Sequence, residues 1–281
     1  MQSIRRTLLA FPGRLLLIFW TVLTLAPFVL IFLLSFRTNA DVFNYPLGFG
    51  GSFNPENYAT AWNGDVLAAP MSSYFVNTGI AAGAAIVLSL GVGSLAAYFA
   101  TKLAPRAKAA FLAIFLVAQV VPFILIVIPY FQVFNFFGLL SNPLATGAIY
   151  GVLALPTTVL VMHAFFSDFP VELAEAAACD GLSEMRVFIQ IVMPLSKGSV
   201  FAVGMLNLIY VWGEAQLGVV LLQDPSSQTV SVGMLGFQGM YQTNFGALFA
   251  GLSIAAIPLI VIYLIFNRTI TKGIALGGVS R

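Results

Sequence analysis

Apolar and polar positions along this chain fall into long blocks instead of alternating with the period of a strand. Five intervals carry no Asp, Glu, Lys or Arg: 15–36, 66–101, 109–167, 198–213 and 225–267. A helix needs about 20 apolar residues to cross a hydrocarbon core of roughly 30 Å, so these blocks predict membrane crossings. Interval 109–167 is long enough for two, and the turn formers Gly138-Leu139-Leu140-Ser141-Asn142-Pro143 divide it. The last interval opens on polar residues, Pro225-Ser226-Ser227-Gln228 and then Tyr241-Gln242-Thr243-Asn244, which leaves 246–267 for its crossing. The stretch 199–222 holds one acid, Glu214. The expectation is an all-α integral membrane protein, one transmembrane domain over 1–281, with six transmembrane helices at about 15–36, 74–101, 109–134, 144–166, 199–222 and 246–267. No repeat of fixed period and no low-complexity segment interrupts this pattern.

Basic residues stay on the cytoplasmic side of a membrane, and their placement predicts orientation. Arg5, Arg6 and Arg14 precede the first span; Lys102, Arg106 and Lys108 lie between the second and third; Arg186 and Lys197 between the fourth and fifth; Arg268, Lys272 and Arg281 after the sixth. Arg37 alone falls on the opposite side, so both termini are expected in the cytoplasm. The first charge-free run exceeds a secretory h-region and no small-residue cleavage site follows it, which favours an uncleaved anchor over a signal peptide or a twin-arginine export signal at Arg5-Arg6. The external segment 37–73 looks too small for an independent domain.

Composition narrows the class further. Apolar residues make up 60% of the chain, charged residues 8%, and mean hydropathy is +0.98, against about 25% charged residues in a soluble domain. An ordinary soluble enzyme, a nucleic-acid binder and a disordered chain are excluded. One Cys and one His leave no internal disulfide and no multi-cysteine or histidine metal centre, so neither catalytic residues nor a metal site are expected. None of Lys102, Lys108, Lys197 and Lys272 is followed by Ser or Thr, so the Walker A phosphate loop is absent.

The loop 167–198 concentrates the charge that the rest of the chain avoids, with five of the ten acids: Asp168, Glu172, Glu175, Asp180 and Glu184. It reads as a short helix, a glycine turn and a second helix. Pro170 suits a first helical turn, and Glu172 and Glu175 favour the positive end of a helix dipole. Ala174 and Ala176 to Ala178 form helix with little side-chain bulk. Gly181 stops the helix, Ser183 can cap the next, and Pro194 ends or kinks it. An interfacial anchor would present Lys and Arg to lipid headgroups. An acidic face with a small-residue patch fits helix docking into a protein groove better.

Glu175-Ala176-Ala177, Asp180-Gly181 and Ile191-Val192-Met193-Pro194-Leu195 resemble the EAA signature of permease subunits of binding-protein-dependent ABC importers. Tyr74-Phe75-Val76-Asn77-Thr78, Val121-Pro122, Ile128-Pro129-Tyr130, Gly138-Leu139-Leu140, Trp212-Gly213-Glu214 and the closing Gly273-Ile274-Ala275-Leu276-Gly277-Gly278-Val279 are similar to the maltose-type carbohydrate branch. The chain departs from that pattern at Gly198, where a second proline is usual, and at Gly213, where Asn is usual. The resemblance implies a transport subunit in the prokaryotic plasma membrane, with no cofactor of its own. It would work with a second homologous permease, two ATPase subunits that bind ATP and Mg, and an extracytoplasmic binding protein. Docking to the ATPase would fall on Glu172, Glu175, Ala176, Ala177, Asp180, Gly181 and Pro194. The implied cargo is a di- or oligosaccharide, with glycerol phosphate or a glycerophosphodiester as the alternative.

Glu214 is the one Asp, Glu, Lys or Arg inside an expected span, and such a group marks a functional site by default. It is a candidate acceptor for substrate hydroxyls, with Tyr210 and Gln216 close in sequence; equally, it could reach water or the partner subunit from the outer end of its span. If the helix continues, 210, 214 and 217 share a face and Trp212 points elsewhere. Gln119 and Asn77 are candidates for the path or for helix–helix hydrogen bonds. Pro27, Pro122, Pro129, Pro156 and Pro258 permit kinks. Gly79-xxx-Gly83 and Gly147-xxx-Gly151 permit close helix approach. An ATP-independent secondary carrier would want several intramembrane carboxylates, and a membrane enzyme would want paired catalytic groups. A plain assembly scaffold would use the loop only to dock.

Overall fold

The computed structural model describes residues 2–64, 68–237 and 243–276, with backbone alone for 2–12, 171, 178 and 268–276. Asp65, Tyr241, Gln242, Gly277-Gly278-Val279 and Arg281 lie outside the described residues. No β-strand occurs among those described. Two compact units emerge, one gathering residues up to Met71 with Met234–Pro258, the other Ser72–Gly233 with the residues from Leu259 on.

In the first unit, helix α1 (Gln2–Leu34) leads to two short helices, α2 (Asn39–Asn44) and α3 (Glu56–Asn63). The segment 13–34 of α1 is apolar on all sides and has none of its window buried, as suits a lipid-facing span. Arg37, the lone base expected on the far side, organises the loop that follows. Its guanidinium donates to the carbonyls of Gly48 at 2.8 and 3.2 Å, Gly51 at 3.2 Å and Ser52 at 3.1 Å. The Asn57 amide donates to the Ser35 and Arg37 carbonyls at 2.8 and 2.9 Å. Asn39 donates to the Thr243 carbonyl at 3.0 Å, fixing the loop to the start of the last helix.

The second unit contains α4 (Met71–Thr101), α5 (Pro105–Val120), α6 (Phe123–Phe136), α7 (Pro143–Ser167), α8 (Val171–Cys179), α9 (Glu184–Val187), a π turn (Phe188–Val192), α10 (Met193–Leu195), α11 (Lys197–Gly213) and α12 (Gly218–Leu221). Helix α13 (Val230–Gly236) and the long α14 (Phe245–Leu276) follow. The expected break at 138–143 is present: Gly138 has φ +64°, and Asn142 caps α7 by accepting from the amides of Leu144 and Ala145 at 3.0 and 3.1 Å, with Pro143 in its first turn.

Four helices are long and apolar enough to cross a membrane singly: Gly13–Leu34, Met71–Thr101, Pro143–Ser167 and Phe245–Asn267. Two other expected spans need correction. The third, at 109–134, is not one helix: α5 and α6 meet at 90°. Proline disfavours the helical region for the residue before it, and Val121, ahead of Pro122, is extended at φ −63°, ψ 119°. The fifth does not run to 222. Helix α11 stops at Gly213, with Glu214 extended at ψ 121°, and its other end bends by 80° from the segment ending at Leu195.

Helix approach in this unit depends on missing side chains. A Cβ on Gly147 would lie 2.4 Å from the Ala81 carbonyl oxygen, and one on Gly151 2.9 Å from that of Ala85. Helices α7 and α4 therefore touch backbone to backbone there, the small-residue packing that membranes favour. Gly79 and Gly83, the other expected contact pair, have nothing within 4 Å of the same position.

Candidate functional site

Helix α8 ends as the sequence requires. Gly181 has φ +84°, the Leu182 amide donates to the Ala177 carbonyl at 3.1 Å, and the Asp180 amide donates to that of Ala176 at 3.1 Å. This is a Schellman-type stop, in which a left-handed glycine lets the chain reverse and satisfies the last carbonyls. Ser183 precedes α9 without a side-chain cap. Glu172, Glu175, Ala176 and Asp180 are exposed, and Leu173 stands 45% exposed beside them. Ala177 departs from the docking patch expected of it. It is 6% exposed and packs in a core with Tyr98, Met162, Phe166, Val187 and Phe188. Two turns' worth of helix thus divides into an outward acidic face and an inward anchor.

A joint that the sequence did not signal holds the second arm of the loop. Glu184, the first residue of α9, pairs with Lys102 at 2.5 Å and accepts from the Tyr98 hydroxyl at 3.0 Å. The Lys102 ammonium sits 4.9 Å from the Tyr98 ring centroid. The hydrogen bond from Lys102 is the main influence holding the Glu184 carboxyl below its ordinary value, with the Tyr98 bond adding to it. Burial would depress Lys102, but its bonds to Glu184 and Tyr98 outweigh burial and raise it. Residues 102 and 184 lie far apart in sequence and on elements of different character, so no local pattern pairs them. A cavity of about 330 Å³ lies alongside, bordered by Tyr98, Lys102, Lys108, Phe166, Phe169 and Ala174 among others. Pro194 lies after the π turn, in the first turn of α10.

Four of the five path candidates come together. Gln119 and Tyr210 border a cavity of about 320 Å³ with Phe123, Thr157 and Asn207, while Tyr210, Glu214 and Gln216 border one of about 380 Å³ that also includes Phe123. Tyr210 and Phe123 are common to both. Among the described residues, no Lys or Arg lines either. The shared helical face of 210, 214 and 217 does not exist, because α11 has already ended. Instead the Glu214 carboxylate turns back, accepting from the Leu217 amide at 2.8 Å and the Gly218 amide at 3.2 Å. It caps the first turn of α12, where free amides and the dipole favour an anion, and is 9% exposed. The buried Tyr150 hydroxyl is within its electrostatic reach without closing a hydrogen bond to it. The Trp212 ring lies 6.0 Å from that of Phe75.

Asn77 lies apart from these cavities. Its amide donates to the carbonyls of Ser226 at 2.8 Å and Gln228 at 3.0 Å, and the neighbouring Thr78 hydroxyl accepts from the Val230 amide at 2.8 Å. The Tyr74–Thr78 motif therefore pins the segment before α13. Asn207, not singled out in the sequence, is buried and donates to the hydroxyls of Ser89 at 2.7 Å and Thr158 at 3.2 Å, joining α11 to α4 and α7. An amide inside an otherwise apolar run was the signal that could have found it.

Apolar helices of spanning length, cavities opening beside them and one charged helix–turn–helix loop define a membrane-embedded transport protein. The family described as "Binding-protein-dependent transport system inner membrane component" matches residues 89–275. The chain belongs to that family, and is a multi-pass protein of the prokaryotic plasma membrane. It is 28% identical over 264 residues to the diacetylchitobiose uptake system permease protein NgcG of Streptomyces coelicolor, covering 93% of this chain and 86% of that one. It is 26% identical to the melibiose/raffinose/stachyose import permease protein MelC of Bacillus subtilis, over 90% and 91% of the two chains. The crystal structure of a bacterial ABC transporter involved in the import of the acidic polysaccharide alginate shares the fold, with a TM-score of 0.75, 19% identity and coverage of 95% and 98%. Both relatives are named as sugar transport permeases, and the family makes this chain a component of a transport system.

Proposed function

We propose that this chain is one of two permease subunits of an ATP-driven sugar importer, a single transmembrane domain with six crossings and both termini in the cytoplasm. The crossings are the four long helices, the bent pair α5–α6 and helix α11. The loop 167–198 lies in the cytoplasm, where α8 docks in a cleft of an ATPase subunit. ATP and Mg belong to that partner, and an external binding protein delivers a di- or oligosaccharide. The observation that carries this reading is the Gly181 turn, which presents Glu172, Glu175 and Ala176 outward while Ala177 holds the same helix on the core. An exposed ion pair contributes only about 0–1 kcal/mol, so Leu173 and Ala176 supply apolar contact around the Glu175 charge. Closure of the ATPase dimer would move α8 as a rigid lever and rock the spans between inward-facing and outward-facing states.

The cavities at Tyr210 support the sugar assignment. An aromatic ring, the amides Gln119, Asn207 and Gln216, and the absence of any cation in the lining suit a neutral saccharide better than a phosphate-bearing solute. Glu214, with both carboxylate oxygens engaged, is poorly placed to carry protons as a secondary carrier requires. The coupling reading is tested in the complete importer by Glu175→Lys. Substrate-stimulated ATP hydrolysis and sugar uptake should both fall at least about five-fold, the lower range of coupling between sites. Wild-type levels of both would refute it.

A further inference from the structure

We propose that Lys102, Glu184 and Tyr98 form the transmission joint through which movement of the docked helix α8 reaches the transmembrane helix α4. The inference rests on the coupling reading of α8 and adds the route by which its motion enters the membrane.

The geometry leaves few stiff routes out of α8. Its C-terminal turn has open space at Gly181, where a Cβ would meet nothing within 4 Å. The cavity of about 330 Å³ beside Ala174 and Phe169 leaves α8 room to shift. Beyond the turn, the backbone does not run straight into the next span. It passes through α9, a π turn and α10, and then bends by 80° into α11. Such departures from regular α-helix are compliant points, where a push is absorbed as a change of angle.

Sideways, by contrast, side chains of separate elements meet in a polar contact. Glu184 bridges to Lys102, the only ion pair among the described residues. Tyr98, in the last turn of α4, and Lys102, the first residue past its end, both hold the same carboxylate oxygen, Glu184 Oε2. Under this polar layer lies an aromatic triangle. The Tyr98 ring lies 5.1 Å from Phe188 and 6.2 Å from Phe166, with Phe166 and Phe188 6.3 Å apart. The π turn is thus seated on α4 and α7 together. A displacement of α9 carries the end of α4 with it, and through α4 the backbone-to-backbone contact at Ala81–Gly147.

The test uses the complete importer in proteoliposomes, comparing sugar taken up per ATP hydrolysed. Glu184→Gln and Lys102→Met remove the ion pair while keeping bulk, and Tyr98→Phe removes only the hydroxyl. Each should copurify with the ATPase and retain substrate-stimulated hydrolysis. Transport per ATP should drop about five-fold for the ion-pair variants and less for Tyr98→Phe. The exchange Lys102→Glu/Glu184→Lys should restore at least half of the lost ratio, which a purely structural role would not produce. Glu175→Lys serves as the reference. If it lowers both activities while Glu184→Gln and Lys102→Met keep the wild-type ratio, the joint is refuted and the coupling reading stands. If Glu175→Lys also leaves both activities intact, the coupling reading fails and takes the joint with it. An exchange variant no better than the single variants overturns the proposal as well.

Discussion

Ala176 and Ala177 are chemically identical neighbours with opposite surroundings, one exposed and the other in the core beside Phe188 and Tyr98. Their motif was legible from the sequence, but the direction in which each points was not, because that depends on which side of α8 meets α4 and α7. Glu214 shows the same limit in another form. A lone carboxylate in an apolar run was correctly marked as exceptional, yet its hydrogen-bond partners are amides three and four residues ahead, available only because the helix ends one residue earlier. At Glu184 and Lys102, the structure makes a pH dependence calculable in sign. The Glu184 carboxyl is held below its ordinary 4.5, chiefly by the hydrogen bond from Lys102. Its contribution is therefore complete above that ordinary value and is lost as pH falls through the lowered one. Lys102 titrates above its ordinary 10.5, since its two hydrogen bonds outweigh the opposing effect of burial. Its contribution is complete below 10.5 and lost as pH rises through the raised value. Both groups are partly exposed, so screening limits the pair to about 1 kcal/mol or less. Glu184→Gln should lower the thermal midpoint of the purified protein slightly and evenly between about pH 6 and 9, and the difference should shrink as pH falls below 4.5. A gap that widens on acidification would contradict this account.

Helices α4 and α7 each carry a Gly-xxx-Gly pair, and their roles diverge. Gly147 and Gly151 press on the backbone at Ala81 and Ala85, whereas Gly79 and Gly83 face open space. Spacing identifies helices able to approach closely, but which of them does so is decided by the face turned to a neighbour. Gly147→Leu should destabilise the protein by about 1–3 kcal/mol, the usual effect of overpacking a tight contact. Gly79→Leu should leave stability within about 0.5 kcal/mol. Unfolding midpoints in detergent distinguish the two, and equal losses would refute the assignment of the contact. The prolines divide similarly. Pro129, Pro156 and Pro258 lie inside continuous helices, while Pro122 ends one. At Pro122 the preceding residue has adopted the extended conformation that proline favours, and no tertiary contact has overridden it.

Across the described residues, the blocks without charge located the four long apolar helices, because hydrocarbon imposes a length that composition must meet. The two bent spans could not be read in this way. Apolar composition continues through Val121-Pro122, and neither it nor the Pro194–Lys197 stretch records by how much the chain changes direction. The cavities joined at Tyr210 are likewise a product of packing, assembled from α5, α6, α7, α11 and the residues after it. Uptake by the complete importer should be competed by neutral di- or oligosaccharides and unaffected by glycerophosphodiesters at the same concentration. Competition by the phosphodiester alone would reverse the substrate assignment. The right-angled break between α5 and α6 bears finally on biosynthesis. At 16 and 14 residues, neither piece alone reaches the length of about 20 that commits a segment to the bilayer. The two must therefore leave the insertion machinery as a single hydrophobic stretch. Their bend is set locally at Val121-Pro122, so it is written into the stretch before α7, the later-made helix against which α5 packs, has emerged.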